Sequence, residues 1–317
     1  MDQPETTVEL TRSQRMLRSA LGPLLLARLD DPGVAELMVN PDGRVWVDRF
    51  DAGLVDAELS VTAADAERIL RLVAHHVDAE VHAGRPRLSA ELPGTGERFE
   101  GLMPPLVVAP AFSIRKPARQ IFSLDDYVRT GVMSADQAEV LAGAVRERRN
   151  ILVAGPTSSG KTTLVNALLA KVAESGERVI LCEDLRELQC AAPNLVAMRT
   201  VDGVVTLTDL VRSTLRLRPD RIIIGEVRGG EALDLVKAWG TGHPGGIGTL
   251  HAGTAMGALL RLEQLIQEAV VTVPRGLIAE TIDVIAVLSG RGRQRRLIDL
   301  ARLEGQAPDG AYQLSSA

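Results

Sequence analysis

The chain has 317 residues, of which 45% are hydrophobic and 24% charged, and its formal net charge is −5. These values are typical of a soluble globular protein with room for two domains, and the negative charge argues against a protein that coats nucleic acid. No run approaches about 18 apolar residues and the two cysteines have no metal or redox spacing, so we expect a cytosolic protein without a transmembrane helix.

The first 116 residues are predicted to form a small α+β domain. The run LGPLLLA (21–27) superficially resembles a signal peptide, but Gly22-Pro23 interrupts it and charged residues close it, which favours an amphipathic helix. VAELMVN, PDG and RVWVDRF predict a hairpin that turns at Pro41-Asp42-Gly43. A helix is predicted over 63–79, and an extended segment broken by prolines over 97–116.

The periodicity fades over 117–133, which we interpret as a linker, and a second domain follows over 134–317. Ser134 and Gln137 form an S-x-x-Q capping box at the start of a helix. Strands and amphipathic helices then alternate. The predicted strands are ILVA (151–154), RVILC (178–182), RIIIG (221–225) and GIGTL (246–250). Short apolar strands between amphipathic helices predict an α/β domain, with a parallel sheet covered on both faces.

The strongest motif is GPTSSGKTT at 155–163, a complete G-x-x-x-x-G-K-[ST] phosphate loop between a predicted strand and helix. Its glycines allow the backbone N–H groups to curl around the phosphates of ATP, Lys161 adds a cation, and the Thr162 hydroxyl is a ligand for Mg²⁺. The predicted nucleotide-binding residues are Gly155, Pro156, Thr157, Ser158, Ser159, Gly160, Lys161, Thr162 and Thr163.

Acidic residues follow two of the apolar strands. Glu226 stands at the Walker-B position after RIIIG, where the usual aspartate is missing, and we expect it to hold a Mg²⁺-bound water. Glu183 follows RVILC and is the candidate for polarising the attacking water. The alternative is that Glu183, Asp184 and Glu187 form only a solvated loop. Strand ends are where such sheets bind ligands, which favours the catalytic interpretation.

Four ordered blocks give the chain a resemblance to a known family, the hexameric traffic ATPases of type II and type IV secretion. They are GPTSSGKTT, the acidic box ILCEDLREL, the Walker-B-like block LRLRPDRIIIGEVRGGEALDL and the histidine box TGHPGGIGTLHAGT. PDGRVWVDR, LPGTGERFEGLMPP and FSIRKP are most similar to the conjugative-transfer TrbB branch. The resemblance implies a RecA-like core, ATP hydrolysis with Mg²⁺, and a ring of six subunits.

The resemblance also implies roles for individual residues. Lys161 and Thr162 would bind phosphate and Mg²⁺, Glu183 and Glu226 would serve hydrolysis, and His251 would sense the γ-phosphate. Arg98 and Arg115 match N-terminal arginines that approach the phosphates, with nucleotide bound between the domains at the subunit boundary. The ring would dock at the cytoplasmic face of the inner membrane, as a peripheral partner of channel components.

The histidine box allows several interpretations. A zinc site is disfavoured because the stretch contains no Cys, Asp or Glu. His243 is a candidate turn residue beside Pro244-Gly245, while Thr249 and His251 share one face at a strand end near the phosphate loop. The glycines are expected to let this strand shift as the γ-phosphate comes and goes.

Other functions remain as alternatives. A type II secretion or pilus-assembly ATPase would share these motifs. A helicase or DNA translocase would use a basic patch such as RGRQRR (291–296), but the net charge and the scarcity of aromatics, 3%, make direct nucleic-acid binding a weak hypothesis. A nucleotide-binding scaffold without turnover is disfavoured by the presence of both glutamates and His251.

Overall fold

The computed structural model describes residues 11–50, 52–117, 121–201 and 203–317, apart from the side chain of Arg293. The chain divides into two compact units, Met1–Arg119 and Gln120–Ala317. The hydrophobic clusters of buried residues lie within one unit or the other. Within the described ranges, no helix combines the length and apolar character needed to cross a lipid bilayer.

The N-terminal unit is an antiparallel sheet with two helices. Its elements are α1 (Arg12–Asp30), β1 (Val34–Val39), β2 (Arg44–Arg49), β3 (Gly53–Ser60), α2 (Ala63–His76), β4 (Arg87–Glu91), β5 (Arg98–Leu102) and β6 (Ala111–Arg115). Their strand order is β3-β2-β1-β6-β5-β4. The predicted hairpin is confirmed as β1 paired with β2, and Gly43 at φ 81° provides its turn.

The predicted N-terminal helix is longer than its apolar run. Thr11 caps α1 by accepting the Gln14 N–H at 3.3 Å, while the Gln14 side chain takes the Thr11 N–H at 2.6 Å. Gly22, at φ 70°, and Pro23 bend the helix, as expected for these two residue types. Four leucines repeat at intervals of four and are buried: Leu17, Leu21, Leu25 and Leu29.

The C-terminal unit contains the phosphate loop. Its elements are α3 (Leu124–Arg129), α4 (Ala135–Arg146), β7 (Ile151–Ala154), α5 (Lys161–Ala173), β8 (Arg178–Glu183), β9 (Asn194–Arg199), α6 (Leu207–Thr214), β10 (Arg221–Ile224), α7 (Glu231–Gly240), β11 (Ile247–Leu250), α8 (Ala255–Gln267), α9 (Arg275–Thr281), β12 (Val284–Ser289), a short 3₁₀ turn (Gly292–Gln294), β13 (Arg296–Gln306) and β14 (Tyr312–Ser316). The strand order is β14-β13-β12-β7-β11-β10-β8-β9.

The predicted parallel sheet is confirmed, and it has a core on each face. Strands β12, β7, β11, β10, β8 and β9 pair in parallel, whereas β13 and β14 extend the sheet antiparallel. Successive side chains of a strand point to opposite faces. Leu152 and Ala154 of β7 therefore join one buried cluster, and Ile151 and Val153 join the other. The carboxyl ends of β7, β8, β10 and β11 meet at one edge, where ligands of such sheets bind.

Of the predicted linker, 117–133, residues 118–120 lie outside the described part of the chain, and residues 121–133 fall within the C-terminal unit. Ser123 caps α3 with Asp126 in a capping box, and Leu124, Tyr127 and Met133 belong to a buried cluster of that unit. The helix has only six residues, too few for a periodicity to appear in the sequence. The capping box at Ser134 that was predicted for the next helix is confirmed.

Candidate active site

The phosphate loop, 155–160, joins the end of β7 to the start of α5. Ser158 and Gly160 have φ angles of 63° and 93°, so the backbone turns through left-handed positions. A Cβ on Gly155 would lie 2.6 Å from the Leu288 carbonyl oxygen, which explains the glycine. Gly160 stands at the N-cap of α5, and as a glycine it provides no side chain to cap the first N–H groups of the helix. This is the arrangement in which a helix N-terminus binds an anion.

Lys161 lies inside this loop rather than in solvent. Its side chain is buried, and its Nζ donates to the carbonyl oxygens of Gly155 at 2.9 Å and Pro156 at 3.1 Å. The same ammonium lies 3.3 Å from Nδ1 of His251. The phosphate-loop cation is therefore in contact with the histidine box.

His251 connects Lys161 to the Walker-B glutamate. Its Nε2 lies 2.7 Å from Oε1 of Glu226, while Nδ1 faces the Lys161 ammonium. Because an ammonium only donates, Nδ1 is the acceptor in the contact with Lys161, and Nε2 faces the Glu226 carboxylate. Lys161, His251 and Glu226 thus form a continuous connection from the phosphate loop through the end of β11 to the end of β10.

Glu226 is surrounded by positive charge. Arg228 Nη2 donates to its Oε2 at 2.8 Å, and Arg228 Nη1 lies 3.4 Å from Oδ2 of Asp184. Burial acts to raise the pKa of Glu226, but Arg228, His251 and Lys161 together outweigh burial and lower it. Glu226 is therefore the carboxylate that stays ionised.

Glu183 has the opposite electrostatic environment. It ends β8, is 4% exposed, and its Oε1 accepts the N–H groups of Glu187 at 3.0 Å and Leu188 at 2.8 Å. Burial raises the pKa of Glu183 to about 7, against the lowering effect of these two hydrogen bonds. A buried carboxyl with this pKa can exchange a proton near neutral pH, which the solvated-loop alternative does not explain.

The acidic loop that follows β8 is anchored on α5, partly through Asn166, a residue of α5 that the sequence reasoning missed. Oε2 of Glu187 accepts from the Thr162 hydroxyl at 3.2 Å, and the Glu187 carbonyl accepts from Asn166 Nδ2 at 3.2 Å. Asn166 in turn accepts the Gln189 N–H at 2.9 Å, one residue before the half-buried Cys190. The polar Asn166 in the otherwise apolar helix TLVNALLAKV was the signal that could have predicted this anchoring.

Besides its polar residues, the histidine box contains two glycines that pack against a buried tryptophan. A Cβ on Gly246 would lie 2.1 Å from the Trp239 indole, and one on Gly248 would lie 3.2 Å from it. Trp239 is buried and its Nε1 donates to the Ile222 carbonyl at 3.0 Å. These two glycines therefore make room for a tryptophan of α7, a packing role that the expectation of a shifting strand did not include.

The other members of the box are also placed. Thr249 is buried and donates to the Gly225 carbonyl at 2.7 Å, so its hydroxyl joins β11 to the end of β10. His243 lies with Nδ1 3.0 Å from the Pro219 carbonyl, at the turn before β11. His243 therefore belongs to the turn, as predicted, and His251 belongs to the site.

Arg98 and Arg115 lie in the N-terminal unit, directly opposite each other on the adjacent strands β5 and β6. Both are half-buried. The register also places a carboxylate opposite each arginine, Glu91 on β4 opposite Arg98 and Glu36 on β1 opposite Arg115.

The residues present fit ATP and Mg²⁺. Ser159 is fully buried, and its Oγ has no hydrogen-bond partner within the described parts of the chain, as expected of a loop built around a ligand. The uncapped start of α5, Lys161 and the loop N–H groups suit phosphates. The Thr162 hydroxyl and the carboxylates of Glu187 and Glu226 are oxygen donors of the kind that Mg²⁺ prefers.

Comparison with known proteins accounts for this arrangement. Residues 58–293 match the type II/IV secretion system protein family. The chain belongs to this family. A probable conjugal transfer protein TrbB of Sinorhizobium fredii is 46% identical over 96% of this chain and 94% of the relative. The predicted membership, and with it the ATPase class of enzyme, is confirmed.

Two solved structures extend the comparison. The VirB11 ATPase from the Brucella suis type IV secretion system, solved in complex with sulphate, is 30% identical over 94% of this chain and 98% of that one, with a TM-score of 0.50. The pilus retraction motor PilT with bound ADP is 21% identical over 93% of this chain and 83% of that one, with a TM-score of 0.63, and its likeness concerns the fold alone. The predicted fold class is confirmed.

Proposed function

We propose that the protein is the motor ATPase of a type IV secretion or conjugation apparatus, which hydrolyses ATP with Mg²⁺ as a homohexameric ring. The observation that supports this most directly is the connection Lys161–His251–Glu226, which joins three motifs of the family in one site. The near full-length similarity to TrbB supports a conjugation-type system. The ring would dock peripherally on inner-membrane components, at the cytoplasmic face.

The position of Lys161 defines its part in the cycle. Its ammonium donates to two loop carbonyls and faces His251. A triphosphate offers charged acceptors, whose hydrogen bonds are about twice as strong as neutral ones, so Lys161 turns to the phosphates. That movement removes the partner of His251 Nδ1. His251 thereby senses whether the phosphate loop is occupied.

The two glutamates divide the work by their ionisation. Glu226 stays ionised among Arg228, His251 and Lys161, and holds the metal through a water. Glu183, with a pKa of about 7, orients the attacking water and accepts its proton. Thr162 is the direct protein ligand of Mg²⁺, with Glu187 beside it. The ion, when bound, neutralises charge on the phosphates.

The ring supplies the remaining positive charge. We propose that Arg98 and Arg115 provide positive charge to the phosphates. Their position side by side on β5 and β6 supports this, because two guanidinium groups close together can both donate to one phosphate chain.

Phosphate release from ATP, measured with Mg²⁺ and again with excess chelator, tests the function. Lys161→Ala should abolish turnover. Lys171→Ala is the matched control, because Lys171 lies on the same helix but pairs at the surface with Glu174 at 3.0 Å. Turnover that survives in Lys161→Ala, or that persists in the chelator, would contradict the proposal.

A further inference from the structure

The connection between β12 and β13 carries the basic run RGRQRR, which the ATPase function leaves without a role. Its arginines do not share one environment. Arg291 and Arg296 are exposed, and Arg296 Nη1 donates to the Arg295 carbonyl at 2.6 Å. Arg295 is only half-exposed and turns toward the phosphate loop. The run is therefore not a uniform surface patch of the kind that would bind DNA.

Arg295 packs on the backbone of Gly160, the residue before Lys161. A Cβ on Gly160 would lie 2.7 Å from both Cζ and Nε of Arg295 and 3.0 Å from Nη1. The absence of a side chain at Gly160 thus makes room for a guanidinium at the start of α5. This places a second cation beside Lys161, at the helix end where phosphates bind.

One nitrogen of this guanidinium, Nε, lacks an acceptor among the described residues. Nε of Arg295 is buried, and no described residue of the chain accepts its hydrogen. The hydroxyl of Tyr127 on α3 is likewise buried without a partner among the described residues. The charge of Arg295 acts to lower the pKa of this hydroxyl, so the two groups are close enough to interact. A buried donor of a charged group without an acceptor is costly, and a ligand oxygen would remove that cost.

We infer that Arg295 binds the phosphate chain of the nucleotide, as a cation supplied by the same subunit that supplies the phosphate loop. The inference rests on the proposed ATPase function and adds a contact to its site. Arginine suits the task because its planar fork donates more than one hydrogen bond to phosphate oxygens. The loop between β12 and β13 thereby becomes part of the nucleotide site.

The test compares Arg295→Gln, Arg295→Lys and the control Arg291→Gln, which removes an exposed arginine of the same loop. ADP and pyrophosphate are the probes, and calorimetry gives both affinities. Loss of a charge-assisted contact should lower the affinity for both ADP and pyrophosphate about tenfold in Arg295→Gln. We expect partial recovery of both affinities in Arg295→Lys and wild-type affinities in Arg291→Gln. In Arg295→Gln the KM for ATP should rise by a similar factor, while kcat stays within about twofold of the wild-type value.

Each other outcome has a distinct meaning. Unchanged affinities for both ligands in Arg295→Gln would overturn the phosphate contact. A lower affinity for ADP with an unchanged affinity for pyrophosphate would overturn it as well. Equal losses in both Arg295 variants, together with a lowered melting temperature of the nucleotide-free protein, would mark a purely structural role and overturn it as well. Failure of the wild-type protein to bind ADP would instead refute the ATPase function itself.

Discussion

His251 is the residue on which the site's connectivity depends. Its two ring nitrogens face groups of opposite charge, the Lys161 ammonium at 3.3 Å and the Glu226 carboxylate at 2.7 Å. A ligand that draws the Lys161 ammonium away from Nδ1 therefore changes the contact on one side of the His251 ring. The contact between Nε2 and Glu226 on the other side stays in place.

We expect His251→Ala to lower kcat for ATP by about 10- to 100-fold, because a positioned polar group at the reacting phosphate is lost. ADP affinity should stay within about twofold of wild type, since the loop and Lys161 remain. His243→Ala is the control, because Nδ1 of His243 lies 3.0 Å from the Pro219 carbonyl, at the turn before β11. Equal kcat values in the two variants would remove His251 from the mechanism.

Glu183 predicts a pH dependence of turnover. Because burial raises its pKa to about 7, the carboxyl is protonated below that pH and cannot accept a proton from water. The rate should therefore fall as pH decreases through about 7, and this acid limb should disappear in the residual activity of Glu183→Gln. The measurement is kcat across pH 5.5–9, and an unchanged acid limb in Glu183→Gln would reassign the role.

The same group predicts a pH dependence of stability. A carboxyl whose pKa is raised by folding binds protons more tightly in the folded state, so stability is lost as pH rises from the ordinary value near 4.5 to about 7. Glu183→Gln keeps the acceptor oxygen without the charge. We expect its melting temperature to exceed that of wild type at pH 8, with a smaller difference at pH 5. No difference at pH 8 would contradict the buried, destabilised carboxylate.

At the scale of elements, β11 and α7 are fitted to each other through Trp239. The indole lies against Gly246 and Gly248, and it is held by its bond to the Ile222 carbonyl on β10. This contact fixes the strand that leads directly to His251. Movement that follows nucleotide binding must therefore begin beyond Leu250, where the strand ends.

Gly246→Ala tests this packing. The added Cβ would overlap Trp239, and overpacking of this kind costs about 1–3 kcal/mol in the free energy of unfolding. Gly253→Ala is the matched control, because a Cβ there meets nothing within 4 Å. Denaturant unfolding should show a loss of stability in the first variant only. Equal stability of the two would mean that the glycine at 246 is not required by the tryptophan.

The sequence predicted the parallel strands and the phosphate loop because their signals are local. A short apolar run between amphipathic helices, or the spacing of GPTSSGKT, lies within one window of the chain. Contacts between distant segments had no such signal. Arg295 on the phosphate loop and Glu187 on Thr162 join residues far apart in sequence, and Trp239 contacts Gly246 across the turn between α7 and β11. The six-residue helix α3 and the strand β9, which is partly exposed, were too short or too weakly patterned to predict.

At the scale of the whole molecule, the ring is the proposal with the widest consequences. With ATP and Mg²⁺ we expect light scattering to report a particle of six 33.9 kDa chains. Arg98→Ala and Arg115→Ala should lower turnover while leaving ADP affinity close to wild type, because the arginines would act on a neighbouring subunit's γ-phosphate. A stable monomer in all nucleotide states would contradict the ring.

The two cysteines provide a built-in probe of the acidic loop. Cys182 is sealed in the core, and burial raises the pKa of its thiol to about 12, so it is protected from thiol reagents. Cys190 is half-buried and follows Gln189, whose N–H is held by Asn166. Alkylation at Cys190 should therefore accelerate whenever the loop leaves α5. The unaltered protein can thus be followed by a labelling rate, one nucleotide state at a time.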